Sequence, residues 1–455
     1  MSLSTNIFQN LKQVDPLTIT FTMSPTEVSY ANTLRRAILS EVETVGFRSD
    51  MLEDGTTSDV KILKNNTPMT NEMLADRIGL LPIRVLEPLT WNPDKYTFKL
   101  HVRGNKDNMT YVKAENFTVI ENPSAAAKGG ANDNTNGINN LINLSNANND
   151  LVNVNEDTNA LEVKEGEIII PTERFFPPNP ITGDTCLIAT LQPGTGATEQ
   201  VVEIVARATK GTGREHARFS PVSQCSYEYT LDNDPVRVEE MFENWLVVAK
   251  KIAGKMEKES DRYQALRREF NTMQIKRCYK RNDKGEPDSF DFTVETAGVL
   301  PVHYIVERAC EVGENMCSRY VNLANGEMPP EISISPADSR IVGYDFLIRG
   351  HDHTLGNLLQ TWLVEHHIEG EAEPKITYAG YKVPHPLRDE MVLRIGVEDG
   401  EEATARLAFA KAAMGCVDMF KTMRNAWRVA TGAAPIAPPA PVALKAKKPA
   451  LRIPK

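Results

Sequence analysis

Four sets of residues in this sequence have the types and spacings that chemistry needs. Arg35 and Arg36 stand side by side inside YANTLRRAILSE (30–41). Neighbours on a helix lie about 100° apart, so the two cannot both lie in one apolar stripe. Either they stand in solvent, where an exposed ion pair contributes about 0–1 kcal/mol, or they hold a partner's acidic group. GTGREHARFS (211–220) has the look of a glycine-rich phosphate loop. It lacks the G-K-[ST] ending, and Pro221 follows where a helix should begin, so it reads as a structural turn. His351, His353, His366 and His367 are metal-ligand types. The first pair flanks a helix start and the second lies about three turns further along, at about 1.5 Å per residue. Capping and packing are the better reading. The cysteines, Cys186, Cys225, Cys278, Cys310, Cys317 and Cys416, form no C-x-x-C pair. They predict free thiols in a reducing compartment rather than a zinc or redox site. No acidic cluster suited to catalytic Mg²⁺ is evident. The residues predict no metal, no cofactor and no catalytic group in this chain.

The bulk numbers set limits on the partners. The chain has 455 residues, 41% hydrophobic and 25% charged, with a net charge of −10. That is an ordinary globular composition long enough for two to four domains. A protein that binds nucleic acid over a broad surface is usually basic, so direct DNA binding is not the default. No run of 18 apolar residues offers a membrane span. The first twenty residues lack the basic and apolar regions of a signal peptide.

The elements that must position these residues follow from periodicity. PLTITFTMS (16–24) alternates as a strand. SPTE (24–27) reads as a helix start, with Ser24 as cap, Pro25 in the first turn and Glu27 completing a capping box. Val28, Ala31, Leu34, Ile38, Val42 and Val45 then recur at helical spacing. NEMLADRIGLLPIR (71–84) reads as a short helix running into a strand. Residues 121–165 are Asn-rich and too poor in large apolar groups to offset an ordering cost of about 1–2 kcal/mol per residue. They read as a weakly ordered or disordered loop. Residues 166–232 look strand-like and 235–270 helical and highly charged. FDFTVET (290–296) alternates again. Residues 298–323 form a long helix, with Pro301 at its start and Ile305, Ala309, Val312, Met316 and Tyr320 on one face. GEMPPEISISPADSR (326–340) reads as a linker.

After that linker the first pattern returns. Tyr344, Phe346 and Ile348 alternate, and Thr354 can cap a helix with Leu355, Leu358, Leu359, Trp362 and Leu363 in one stripe. Residues 391–397 form a strand, and 401–430 a second long helix ending near Gly432. Each half reads strand, helix, insertion, strand, long helix, as in a divergent internal duplication. Residues 433–455 are a Pro/Ala tail with five basic and no acidic residues.

Five ordered motifs carry a resemblance. YANTLRRAIL resembles the N-A-L-R-R segment of the bacterial RNA polymerase α subunit and its archaeal and eukaryotic relatives. NEMLADRIGLLPIR is similar to their D-E-x-x-A-H-R-L-G-L-I-P phrase, and GTGREHARFSPVSQCSYEY (211–229) to their G-x-G-x-x-H-A-K segment. FDFTVETAGVLPVHYIVERA (290–309) resembles the strand and helix that close that fold. GHDHTLGNLLQTWL and AGYKVPHPLRDEMVLRI resemble the smaller partner, the archaeal L subunit or the eleventh subunit of RNA polymerase II. The match covers most of the chain except 121–165 and the tail.

The resemblance implies an α+β fold in which one chain carries both members of the α-like pair, related by a pseudo-twofold axis. Residues 1–50 with 222–325 would form the first dimerisation module. Residues 51–221 would be a mostly β insert, 326–340 a linker and 341–432 the second module. A platform docking the two largest polymerase subunits is the implied function, with small polymerase subunits as further partners. DNA and RNA would be reached only through the complex, and no membrane is involved. Catalytic Mg²⁺ would belong to the large subunits. The resemblance implies a large-subunit interface at Asn32, Arg35, Arg36, Arg77, Arg214, His216 and Arg218. It implies an intramolecular interface at Leu34, Ile38, Ile305, Ala309, Met316, Leu355, Leu358, Leu359, Trp362 and Phe420. No cysteine lies between Met1 and Thr185, so neither the zinc nor the iron–sulfur centre of some relatives is expected. The fusion itself suggests a large double-stranded DNA virus, with the chain intracellular at sites of viral transcription or packaged in the virion.

Overall fold

The computed structural model describes residues 6–50, 59–122 and 168–433, apart from 253, 255, 256, 327 and 339. Most of the Asn-rich segment and all of the tail beyond 433 lie outside the described residues. The first half opens with β1 (Phe8–Gln13), β2 (Thr18–Met23), α1 (Val28–Ser40) and β3 (Glu43–Gly46). An insert follows: β4 (Val60–Asn65), α2 (Asn71–Gly79), β5 (Tyr96–Arg103), β6 (Thr110–Lys113), β7 (Phe117–Glu121), β8 (Ile168–Ile170), β9 (Leu187–Leu191), β10 (Val201–Ala206) and β11 (Thr209–Thr212). The half closes with β12 (Val222–Tyr229), α3 (Pro235–Val248), α4 (Asp261–Met273), β13 (Phe290–Thr296) and α5 (Val302–Ser318). The second half is β14 (Ile332–Pro336), β15 (Gly343–Arg349), α6 (His353–Leu363), β16 (Tyr378–Lys382), β17 (Glu390–Gly396) and α7 (Glu402–Ala430). One turn of π-helix, Val364–Ile368, extends α6.

The duplication is explicit in the sheets. The first half has the antiparallel order β1-β2-β13-β12, the second β14-β15-β17-β16. In both, the strands met first, second, third and fourth along the chain lie in the order first, second, fourth, third. In both, one helix follows the second strand and a long helix follows the fourth. The two sheets and their helices enclose one continuous apolar core, from Ile7 to Trp427. The insert has its own core around a five-stranded sheet, where Phe47, Phe98, Phe117, Phe175 and Phe176 pack ring against ring. The hairpin α3–α4 closes a small third core on Phe242, Leu246 and Phe270.

Several local expectations are corrected. α1 begins at Val28, and Glu27, its N-cap residue, makes no side-chain cap bond. Ser24 lies three residues before that N-cap, too early to cap the helix, and the Glu27 carboxyl is turned toward Glu365. Asp352, not Thr354, caps α6, accepting from Thr354 N at 2.8 Å. α2 does not run into a strand; residues 81–85 are irregular, and Pro82 offers no N–H to a ladder. The charged stretch is two helices, broken where Lys251 and Gly254 take positive φ. The buried face of α5 carries Ile305 and Ala309 but then Gly313 and Cys317, leaving Val312 and Met316 at its margin. Residues 332–336, read as linker, are the edge strand β14.

Candidate subunit-docking surface

The seam between the halves explains most of the residues singled out above. α1 and α6, which carry the two related phrases, pack on each other, while α5 lies along α7. Leu34, Ile38, Ile305, Ala309, Leu355, Leu358, Leu359 and Phe420 are all fully buried in the shared core, and Met316 and Trp362 pack at its edge. A Cβ on Gly313 would stand 2.7 Å from the Phe420 ring, so a glycine is what lets α7 approach α5. The two long helices also exchange their ends. Trp427, at the end of α7, is buried against Phe8 and Phe21 of the first sheet, with centroids 5.1 Å away, and its indole N–H donates to His303 O at 2.9 Å. Tyr320, just past α5, packs on His351 and Phe409 of the second half.

Arg36 belongs to this seam. Its guanidinium donates to Asp352 Oδ2 at 2.9 Å and to Thr354 Oγ1 at 2.7 Å. It thereby grips the N-terminus of α6 at the carboxylate that caps it. Burial pushes the Asp352 carboxyl up, but the bonds from Thr354 and the charge of Arg36 more than offset this, and its pKa lies below the usual range. The reciprocal contact comes from Asn357, which donates to Ser29 Oγ near the N-terminus of α1 at 2.9 Å. Thr361 donates to the same oxygen at 2.8 Å. Tyr30 donates its phenol to Glu365. Glu27 faces that same carboxylate. Burial first, then the charges of Glu365 and Glu286, push its pKa up to about 7, with Lys284 opposing.

Arg35 points elsewhere. It donates to Asn32 Oδ1 at 3.1 Å, and both residues line a cavity of about 580 Å³ with Cys225, Tyr227, Tyr229 and Lys276. Burial pushes the Cys225 thiol up to about 12 despite the nearby Arg35 charge, so this cysteine is an inert wall. The neighbouring arginines of the candidate set have duties inside the chain. Arg77 donates to Ile188 O and Leu187 O at 2.7 and 3.0 Å. Arg218, its side chain only 6% exposed, donates to Phe47 O and Ser49 Oγ, both at 2.9 Å. His216 accepts from the Arg218 backbone at 3.1 Å. Arg214 reaches Asp389 of the second half at 2.5 Å. The Gly211–Ser220 turn closes on the end of α1: Arg214 N donates to Ser40 O at 2.9 Å, and a Cβ on Gly213 would stand 2.3 Å from Leu39 O. The backbone here is spent on packing, with no free nest for a phosphate.

The histidines also have packing roles. His366 stacks on Trp362 at 4.0 Å, and His367 is buried with Nδ1 2.9 Å from Pro374 O. Among the described residues no three His, Cys, Asp or Glu gather as a metal site, and all six cysteines are free. No helix among them is long and apolar enough to cross a membrane. Residue reasoning missed Ser29, Tyr30, Glu365, Gly313 and Trp427. A signal for Trp427 was present: Phe409, Ala413, Cys416, Phe420, Met423 and Trp427 recur every three or four residues, a seam facing one side of α7.

Two copies of one sheet-and-helix module, locked head to head around one core, define a pseudo-dimeric α-subunit-type fold in a single chain. The chain belongs to the RNA polymerase Rpb3/Rpb11 dimerisation domain family. The family matches residues 20–317, well over half the chain, and matches again at residues 344–426. The chain is 24% identical over 343 residues to the mouse protein named DNA-directed RNA polymerases I and III subunit RPAC1, covering 70% of this chain and 84% of that one. The human protein of that name is 25% identical over 333 residues, with the same coverage. The Saccharomyces cerevisiae protein is 29% identical over 223 residues, 48% of this chain and 55% of its own length.

Proposed function

We propose that this chain is a non-catalytic platform subunit of a multisubunit DNA-directed RNA polymerase, on which the two largest subunits assemble. Small polymerase subunits would join it, and nucleic acid would be reached only through the complex. The observation that carries the reading is the division of labour between two adjacent arginines. Arg36 is turned inward to hold the second half, while Arg35, one residue and about 100° away, lines a cavity and forms no ion pair among the described residues, the Glu228 that lines the same cavity being paired with Lys276. Fusion supports the role, since a tether keeps the pair together at an effective concentration of about mM. Any metal would belong to the catalytic subunits. A home inside the cell, in the polymerase of a large double-stranded DNA virus and at its sites of transcription, is part of the proposal and rests on the fusion.

The test is capture of the two largest subunits by the tagged chain carrying Arg35→Ala. The expected result is weaker capture with an unchanged melting curve. Full capture would remove Arg35 from the docking site.

A further inference from the structure

We propose that the face around Arg35 receives an extended, acidic segment of a large polymerase subunit, which adds as a strand to the outer edge of β12. This rests on the platform reading above and names the chemistry of the partner at that site.

Three observations converge there. The first is an open edge. β12 ends its four-stranded sheet, and no described strand is hydrogen-bonded to its outer side. Its residues Ser223, Gln224, Ser226 and Glu228 are exposed. An open edge offers a row of backbone donors and acceptors to any extended chain. The second is the cavity, which opens along the same strand and has Arg35 in its wall.

The third is charge. Between Arg268 and Lys284 there are six basic residues against two acidic ones, in a chain whose net charge is −10. Arg277, Lys280 and Arg281 are exposed and form no direct ion pair among the described residues. Lys276, also at the cavity, meets only Glu228, and both are largely in solvent at 78% and 69% side-chain exposure. Such a pair contributes little and exchanges readily. Arg281 lies over the Tyr279 ring, 4.6 Å from its centroid, and Tyr279 packs on Tyr229 at the end of β12. Cations and aromatic rings therefore border the free edge. A polyanionic nucleic acid would match the charge but leave the backbone edge unused. An acidic peptide strand uses both.

The experiment follows hydrogen exchange and zero-length carboxyl–amine crosslinking on the full chain, alone and assembled with its two largest partner subunits. The expected result is new protection of the amides of 223–228, with crosslinks from Lys276 and Lys280 to one acidic partner segment. Lys276→Glu with Lys280→Glu should weaken capture about tenfold and flatten its salt dependence. Assembly without protection of 223–228, or with unchanged affinity in the charge-reversed variant, overturns this inference and leaves the platform standing. Failure to assemble at all removes the platform reading itself. Protection of this edge by a 40-nucleotide RNA, and not by the partner subunits, also overturns it.

Discussion

The carboxyl pair at the seam makes the sharpest prediction. Glu27 precedes α1 and Glu365 lies in the π turn after α6, so their meeting joins the two halves. Glu27 titrates near 7 because burial and the facing Glu365 and Glu286 disfavour its charge, with only Lys284 opposing. Its ordinary value is 4.5. The folded state therefore holds a proton that the unfolded chain releases between these two values. Stability falls as pH rises whenever the folded state binds more protons. The contribution is thus fully present below pH 4.5, is lost on the way to about pH 7, and is flat beyond. At about 1.4 kcal/mol per pKa unit the shift corresponds to about 3 kcal/mol at most. Glu27 is partly exposed, so solvent screening reduces this to about 1–2 kcal/mol. Glu27→Gln imitates the protonated form at every pH. Urea unfolding of wild type and variant from pH 5 to 8 follows this group, since titrations away from the Glu27 and Glu365 pair are common to both. The variant should exceed the wild type by only a few tenths of a kcal/mol near pH 5 and by about 1–2 kcal/mol at pH 8. A difference that stays constant with pH would refute the raised Glu27 pKa.

Other perturbations separate seam from surface. Arg36→Ala should cost about 1–2 kcal/mol in urea unfolding, because two charge-assisted bonds to Asp352 and Thr354 are lost at a partly exposed site. Arg35→Ala should stay within about 0.5 kcal/mol of wild type in the same assay; equal losses for the two would contradict their opposite orientations. Trp427→Ala should cost about 3–5 kcal/mol, since it empties a fully buried site and removes the indole bond to His303 O. Gly313→Val forces α5 away from Phe420 and should cost about 1–3 kcal/mol, visible as a lower melting temperature. A stable Gly313→Val would show that the long helices do not approach as closely as described.

Elements with strong periodicity were legible from residues alone. β2, α1, β13, α6, β17 and α7 each have an alternating or helical stripe, because each buries one face. Two of the edge strands, β1 and β14, were not. β1 carries Lys12 and Gln13 in FQNLKQ and is irregular between Gln9 and Lys12. β14 ends at Pro336 and sits in a proline-rich stretch that resembles a linker. Edge strands need bury little, so they write little into the sequence. Candidate site residues divided the same way. Leu34, Ile38, Leu358 and Phe420 follow from stripes. Arg35 and Arg36 were visible as a pair, but which one faces inward depends on where Asp352 lies, 316 residues away. The seam polar groups, Ser29, Tyr30 and Glu365, lack any local pattern, since their meaning arises only when the halves meet. The Gly211–Ser220 turn looked like a ligand loop for the opposite reason: glycines mark close approach, and here the approaching atoms are Leu39 O and the Phe219 ring.

Affinity purification of the tagged chain from its native source, with mass spectrometry and a transcription assay on the eluate, tests the central claim most directly. The account predicts two subunits above about 100 kDa held by this platform, and template-dependent RNA synthesis in the same fraction. Recovery of the chain alone, or with unrelated partners and no RNA synthesis, would contradict it.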